Sequence, residues 1–409
     1  MNYEFPYIQN ITDVLPAIEG RDEFVVAVKE GYTVINYNVM MADTFPPVII
    51  PTSEYDQANG VYEMRDYYAA LRRECRGIIF DTESGEILRR PYHKFFNVNE
   101  REETQDNVVD LSQSHAILEK LDGSMIAPFI VNDRLIWGTK MGATEVAEPV
   151  EDFVLLHENY SQFARFLIRR GYTPIFEWCS RKQRIVLDYK EDQLILTAIR
   201  DLTTGRYMSW DLVTNTADLY FIPVVGKWET GVDMDNKTMS SFVNYVRDLE
   251  DVEGFVVRFS DGHMIKLKCD WYVQIHKAKE KILQDRNIVE LILDDKLDDV
   301  KAHLPQEDRD RLTVFEDDFC FVIFSSVIFM LDNDLSWIRE QDIDRKTFAL
   351  EHAERYDQYM RALIFKNFDE LDHKKYWDDV RNTIRNNLTK TVKYEAIRDA
   401  WFPGVIYNA

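Results

Sequence analysis

Alternating apolar and polar positions dominate the chain up to about residue 275. Residues 24–28 and 32–39 flank Lys29-Glu30-Gly31, and 77–80 and 86–88 flank Ser84-Gly85. Residues 125–131 and 135–139 flank Asn132-Asp133, and 193–199 lead through Thr203-Thr204-Gly205 to Tyr207. Residues 255–259 and 264–268 flank Asp261-Gly262, the strongest short hairpin signal of the set. Period-two runs separated by turn residues predict antiparallel pairs, with helical stretches at 161–170 and 240–249 between them. Beyond residue 276 the period changes to that of a helix, over 288–293, 319–331, 348–365 and 380–388. The fold class expected is α+β: a mixed domain of antiparallel sheets with helices over 1–275, then an all-α domain over 276–409.

The apolar run 319–331 is too short to span a bilayer, which takes about 20 residues, and predicts a buried helix instead. The N-terminus, MNYEFPYIQN, carries neither a basic nor an apolar segment of the secretory type. Cys75, Cys179, Cys269 and Cys320 are far apart, with no CxxC pair, which predicts reduced thiols and a cytoplasmic location. With 49 basic and 72 acidic residues the net charge is −23. Such a body repels polyanions, so any nucleic-acid contact has to be a local basic patch. Three basic groups stand out: Arg72, Arg73, Arg76, Arg89, Arg90 and Lys94; Arg181, Lys182 and Arg184; and Lys266, Lys268, Lys277, Lys279 and Lys281. For any one of them a solvated face is the commoner explanation.

Chemistry is concentrated at Lys120-Leu121-Asp122-Gly123-Ser124. A lysine acts as a nucleophile only when unprotonated, and its reference pKa is about 10.4. Nearby cations or burial would lower that value. Gly123 would let backbone approach a ligand. The K-x-D-G pattern alone is weak, because short motifs recur by accident. Downstream, in order, come Glu177 within the apolar Phe176-Glu177-Trp178, then Glu253-Gly254-Phe255-Val256-Val257, then Lys266-Leu267-Lys268. Residues two apart on a strand share a face, so Lys266 and Lys268 can converge on one polyanion. The ordered set is far more specific than any member. The chain has no G-x-x-x-x-G-K-[ST] phosphate loop and no H-E-x-x-H or clustered Cys/His, so neither a P-loop kinase nor a zinc site is indicated.

This set resembles the covalent-lysine nucleotidyltransferases: DNA ligases, RNA ligases and capping enzymes. Glu74-Cys75-Arg76-Gly77-Ile78-Ile79-Phe80 and Arg90-Pro91-Tyr92-His93-Lys94-Phe95-Phe96-Asn97-Val98-Asn99-Glu100 are similar to the segment upstream of the nucleophile in phage RNA ligases of the tRNA-repair type. So are Arg184-Ile185-Val186-Leu187 and Lys266-Leu267-Lys268-Cys269-Asp270-Trp271-Tyr272. The resemblance covers roughly residues 30–300. It implies an ATP-grasp-like ligase domain and an ATP-dependent RNA ligase that uses Mg²⁺ and joins RNA 5′-phosphate and 3′-hydroxyl ends. Cleaved tRNA would be its substrate, a phage-infected cell its setting and a monomer its form. Lys120 would carry AMP. Tyr37, Arg76, Lys94, Lys140, Glu253, Lys266 and Lys268 would hold the nucleotide. Glu177 and Asp298 would hold the metal, and Asp122, Gly123 and Tyr272 would complete the site. The chain departs from the pattern by extra residues around 46–68 and by a longer tail through Trp401-Phe402-Pro403-Gly404.

Two alternatives stand beside this one. A DNA ligase or capping guanylyltransferase would normally continue after the paired lysines into a small β-barrel, whereas this sequence turns helical. A non-catalytic RNA-binding or phage-assembly protein on the same fold would not need Lys120, Glu177, Glu253, Lys266 and Lys268 intact. The helical part is expected to select RNA, with Lys374, Lys375, Arg381, Arg385, Lys390 and Lys393 as candidate contacts.

Overall fold

A computed structural model describes residues 4–41, 43–48, 64–228, 238–369 and 373–407. The chain divides into two units, 1–273 and 274–409, the division falling within the helix Asp270–Lys281.

Among its described residues the first unit holds twelve strands in three sheets. The first sheet is β1 (Phe24–Lys29), β2 (Tyr32–Tyr37), β3 (Ile78–Asp81) and β4 (Ile87–Arg89), paired in that order. The second has the order β10 (Gln193–Asp201), β9 (Tyr172–Cys179), β7 (Ser124–Val131), β8 (Arg134–Gly138). The third has the order β5 (Phe96–Asn97), β12 (Met264–Lys268), β11 (Gly254–Phe259), β6 (His115–Glu119). The hairpin signals placed these pairs well. Asn132 and Asp133 both have positive φ, 49° and 62°, as the tight turn between β7 and β8 needs. One pairing is not antiparallel: β5 runs parallel to β12, with Ile265 opposite Phe96. The two strands are far apart in the chain, so no hairpin constrains their direction.

Helices cover the sheets where alternation leaves an apolar face. Glu148–Leu156 and Glu158–Ile168 bury Val150, Val154, Phe163 and Leu167 with Phe176 and Leu196 of the second sheet. Met239–Arg247 buries Phe242, Val243 and Val246 with Phe255 and Val257 of the third.

Most of the first basic group is structural. Arg89 is fully buried and donates to the carbonyls of Gly77, Ala127, Gly138 and Thr139, tying the first sheet to the second. Arg90 and Arg200, also fully buried, converge on Glu74 at 3.0 and 2.8 Å. Arg73 pairs with Glu103 at 2.7 Å, and Arg72 donates to the Ala17 carbonyl. The expected surface patch is therefore an internal brace. Burying so many cations is tolerable only because each finds carbonyls or a carboxylate.

The second unit is helical, with one core running from Ala278 to Tyr407. Its apolar run 319–331 continues the helix Gln306–Val322 through a widened turn, Ile323–Ile328, into Phe329–Glu340. Phe319, Ile323, Val327, Leu331 and Leu335 are buried at steps of four. Four-residue steps drift around an α-helix, and a widened turn keeps them in line. The run is not buried all round, as its sequence suggested: Phe321, Phe324 and Phe329 are exposed. The tail is core rather than appendage, since Trp401 and Phe402 are buried and Phe402 packs edge-on against Phe319 at 5.1 Å. Arg381 and Arg385 are engaged by Asp295 and Asp294, whereas Lys390 and Lys393 are exposed. The extra segment around 46–68 lies mostly outside the described residues.

Candidate active site

Lys120 sits in the loop between β6 and β7, where the third sheet hands the chain to the second. It borders a cavity of about 300 Å³. Tyr37, Arg76, Lys94, Lys120, Gly123, Glu177, Lys266 and Lys268, all picked out from the sequence, line it. Such a volume falls at the small end of ordinary ligand sites.

Backbone register explains the convergence. On β12, Lys266 and Lys268 share a face, opposite Val256 and Gly254 of β11. Arg76 and Lys94 are aimed by the buried brace. Glu74 precedes Cys75-Arg76, Arg200 donates to the Pro91 carbonyl, and the Lys94 amide donates to the Arg73 carbonyl. Lys94 lies 3.4 Å from the Tyr37 hydroxyl, and Lys140 lies 5.7 Å from the centre of the Tyr37 ring. Burial would raise the Tyr37 phenol, but Lys94, Arg76 and Lys140 outweigh it and lower its pKa. The same crowding acts on Lys266. Burial, then Lys94, Arg76 and Lys120, push its ammonium down to about 7.

Beside Lys120 a carboxylate joins the cations that line the cavity. The Lys120 amine touches a carboxylate, Glu253, at 2.7 Å, and Glu253 also accepts from Lys268 at 3.0 Å. Glu253 is buried, so it serves as a fixed anchor for two amines.

Asp122 and Gly123 have structural tasks. Asp122 is buried; its carboxylate accepts from the amides of Val186 and Leu187 at 2.7 Å each and from the Tyr272 hydroxyl at 2.7 Å. It thereby pins the loop after β9 and the start of the helix Asp270–Lys281. Tyr272 is buried against Asp122 and is not part of the cavity wall. At Gly123 β9 itself approaches closely: a Cβ there would lie 2.3 Å from the Trp178 carbonyl oxygen. Gly254 is equally constrained, with φ +141° and the Leu267 carbonyl 2.0 Å from where a Cβ would stand.

The two metal candidates belong to different units. Glu177 reaches the cavity, and burial raises its carboxyl to about 7, partly offset by Lys120. Asp298 belongs to the second unit, exposed on the short helix Leu297–Lys301, and is not part of the cavity wall. Among the described residues no three His, Cys, Asp or Glu side chains group to hold a metal ion. What remains fits a hydrated, phosphate-bound cation, because Mg²⁺ commonly uses one or two carboxylates plus substrate oxygens and waters.

Sequence reasoning missed the apolar floor: Leu118, Met125, Val225, Val256 and Met264, with Tyr92, Phe95, Thr197 and Arg258. Same-face spacing on β11 and β12 could have found Val256, Arg258 and Met264. Thr197 sits at a register shift in β10, which no periodicity signals.

The arrangement is a primary amine bordering a cavity lined by cations, by Glu119 and Glu177, and by apolar side chains. It can hold a nucleobase in the floor and phosphates at the rim, beside the amine. A family model described as RNA ligase matches residues 74–272. A putative RNA ligase of Thermovibrio ammonificans is 30% identical over 240 residues, 57% of this chain and 61% of that one. RNA ligase 1 of bacteriophage TS2126 is 26% identical over 269 residues, 63% of this chain and 65% of that one. An archaeal ATP-dependent RNA ligase structure aligns with a TM-score of 0.43 at 12% identity, over 68% of this chain and 64% of that one. The chain thus spans under two thirds of the length of these relatives. No helix among the described residues is long and apolar enough to cross a membrane. Residues 74–272 thus match an RNA ligase family model, and the chain is similar to RNA ligases through that region.

Proposed function

We propose that the chain is an ATP-dependent RNA ligase that carries AMP on Lys120 and uses it to join an RNA 5′-phosphate to a 3′-hydroxyl. The observation that carries this is the Lys120 amine, ion-paired to Glu253 at the rim of a base-sized cavity with Lys266, Lys268, Arg76 and Lys94 around it. The helical rather than barrel-like second unit favours RNA ligation over DNA ligation or capping. Cleaved tRNA as substrate, selected by the second unit, is the most specific form of this reading.

In the first step Lys120 gives up its ion pair and proton, attacks the α-phosphorus of ATP and forms a P–N bond as the bond to pyrophosphate breaks. Lys266, Lys268, Arg76 and Lys94 neutralise the charge gathering on the phosphate oxygens. The released proton is within reach of Glu253. In the second step the RNA 5′-phosphate attacks the lysyl-AMP, giving a 5′–5′ pyrophosphate linkage and returning the amine. In the third the 3′-hydroxyl attacks that linkage and AMP leaves. Glu177, its proton displaced, would be the chain's carboxylate for Mg²⁺; bound there, the ion would polarise phosphoryl oxygens.

Incubation with α-labelled ATP or GTP, followed by denaturation, tests the reading. An acid-labile AMP adduct with ATP, consumed on adding 5′-phosphorylated RNA, is expected. Labelling by GTP alone would remove it.

A pH prediction follows from Lys266. Its amine is depressed from 10.5 to about 7, so in the empty cavity it is mostly charged below that pH and mostly neutral above. Phosphate binding favours the ammonium. Nucleotide affinity should therefore fall as pH rises through about 7, with proton uptake on binding above it. Calorimetry of ATP binding at pH 6 to 8 in buffers of different ionisation enthalpy would show both effects. In Lys266→Met the uptake should vanish; unchanged uptake in that variant would refute the assignment.

A further inference from the structure

We propose that Arg258 reads the base of the bound nucleotide, donating a hydrogen bond from its guanidinium to a ring nitrogen at the end of the cavity remote from Lys120; this rests on the nucleotide-binding function proposed above.

The placement comes from strand register. Gly254, Val256 and Arg258 share one face of β11, opposite Lys268, Lys266 and Met264 of β12. On the other side of β11, Leu118 stands opposite Val256 and Ala116 opposite Arg258. Of the two phosphate-seeking lysines, Lys268 lies opposite Gly254 and Lys266 opposite Val256. Moving toward Arg258, the cavity wall becomes Val256, Leu118 and Met264. Four residues of strand span roughly 13 Å. That is the scale of a nucleotide laid with its phosphate at Lys268, beside Lys120, and its base beyond Val256, so the outer edge of a purine would reach Arg258.

The chemistry comes from an unfinished hydrogen-bond set. Arg258 is 7% exposed and lines the cavity. Its Nη2 donates to the Met208 carbonyl, and its guanidinium lies 5.1 Å from the centre of the Tyr207 ring. Its Nη1 is buried with no hydrogen-bond partner. A buried charged donor left unpaired is destabilising, and a ligand acceptor in the cavity would relieve that. Purines present ring nitrogens as acceptors at this distance from the phosphate. A pyrimidine, with one ring fewer, would fall short. Arg258 also borders a second cavity, of about 580 Å³, with Arg206, Tyr207, Trp210 and Lys227. If Nη1 serves a ligand there instead, base analogues in the first cavity will not sense it.

Binding of ATP and of its 1-deaza, 3-deaza and 7-deaza analogues, and of CTP, to the full-length protein tests this by calorimetry, with lysyl-AMP formation measured in parallel. In the wild type one deaza analogue should bind about 10-fold or more weaker than ATP, and CTP weaker still. Arg258→Met should weaken ATP by about 10- to 100-fold, raise KM more than it lowers kcat, and lose the discrimination between ATP and that analogue. Arg258→Lys should recover part of the affinity. If the wild type binds all analogues alike, or Arg258→Met binds ATP normally, the inference is overturned. Should Arg258→Met not fold, the wild-type analogue series decides alone. Nucleotide binding without any lysyl-AMP would sink the ligase reading while the analogue series still judges Arg258.

Discussion

Replacing Lys120 by alanine is expected to abolish AMP transfer to the protein, a loss on the order of 10⁴-fold or more, because no other group supplies the attacking electron pair. The variant should fold. Lys120 is partly exposed, and Glu253, which loses it, keeps Lys268 at 3.0 Å, so no buried carboxylate is stranded. It should also still bind ATP, since the cavity floor and the other rim cations remain. Arginine should not rescue it, because a guanidinium stays protonated. The sharper test uses RNA already carrying the 5′-adenylate. Only the first two steps need the amine, so Lys120→Ala should seal that substrate while failing on 5′-phosphate RNA with ATP. An adenylyl adduct still forming on the variant would place the nucleophile elsewhere.

A second large effect is expected from Glu74→Gln, far from the reacting atoms. Glu74, Arg90 and Arg200 form a fully buried cluster, and the two guanidiniums hold the carboxyl down to about 2. Removing the negative charge leaves two buried cations facing one another. Breaking such a cluster costs about 3–5 kcal/mol, a large share of ordinary domain stability. The linkage has a definite sign. Unfolded, Glu74 takes up its proton near pH 4.5; folded, only near 2. Its contribution is thus fully present above about 4.5 and is lost as pH falls toward 2. Urea unfolding followed between pH 3 and 7 should show wild-type stability falling with acid more steeply than that of Glu74→Gln. Nucleotide binding should weaken too, because the cluster positions the segments that carry Arg76 and Lys94. A variant as stable as wild type at pH 7 would mean that the cluster is not the brace described.

Both expectations turn on residues whose types were plain in the sequence but whose tasks were not. Lys120, Glu177, Glu253, Lys266 and Lys268 were legible as a set because strand periodicity gives each a face and their order matches one chemistry. The strand pairs were legible because turn residues mark hairpins locally. Arg89 and Arg90 looked like neighbours of Arg76 and Lys94 in a phosphate-binding patch, yet they are buried in the brace. Charge composition reports only that a cation is present; what it touches depends on residues such as Glu74, Ala127 and Gly138, brought in from elsewhere in the chain.

The sequence by itself singled out Lys120 with its acidic and basic company, and the change from sheet to helix after the paired lysines. These are local patterns, set by side-chain period and residue type. The tertiary structure alone decided that Glu253 and not a cation touches Lys120, and that Gly123 is required by the Trp178 carbonyl. It alone also decided that Asp122 is a structural anchor and that Arg258 lines the cavity with its Nη1 buried and unpaired. Each of those contacts joins strands or loops distant in sequence, and a pairing between remote segments leaves no mark in the periodicity of either one.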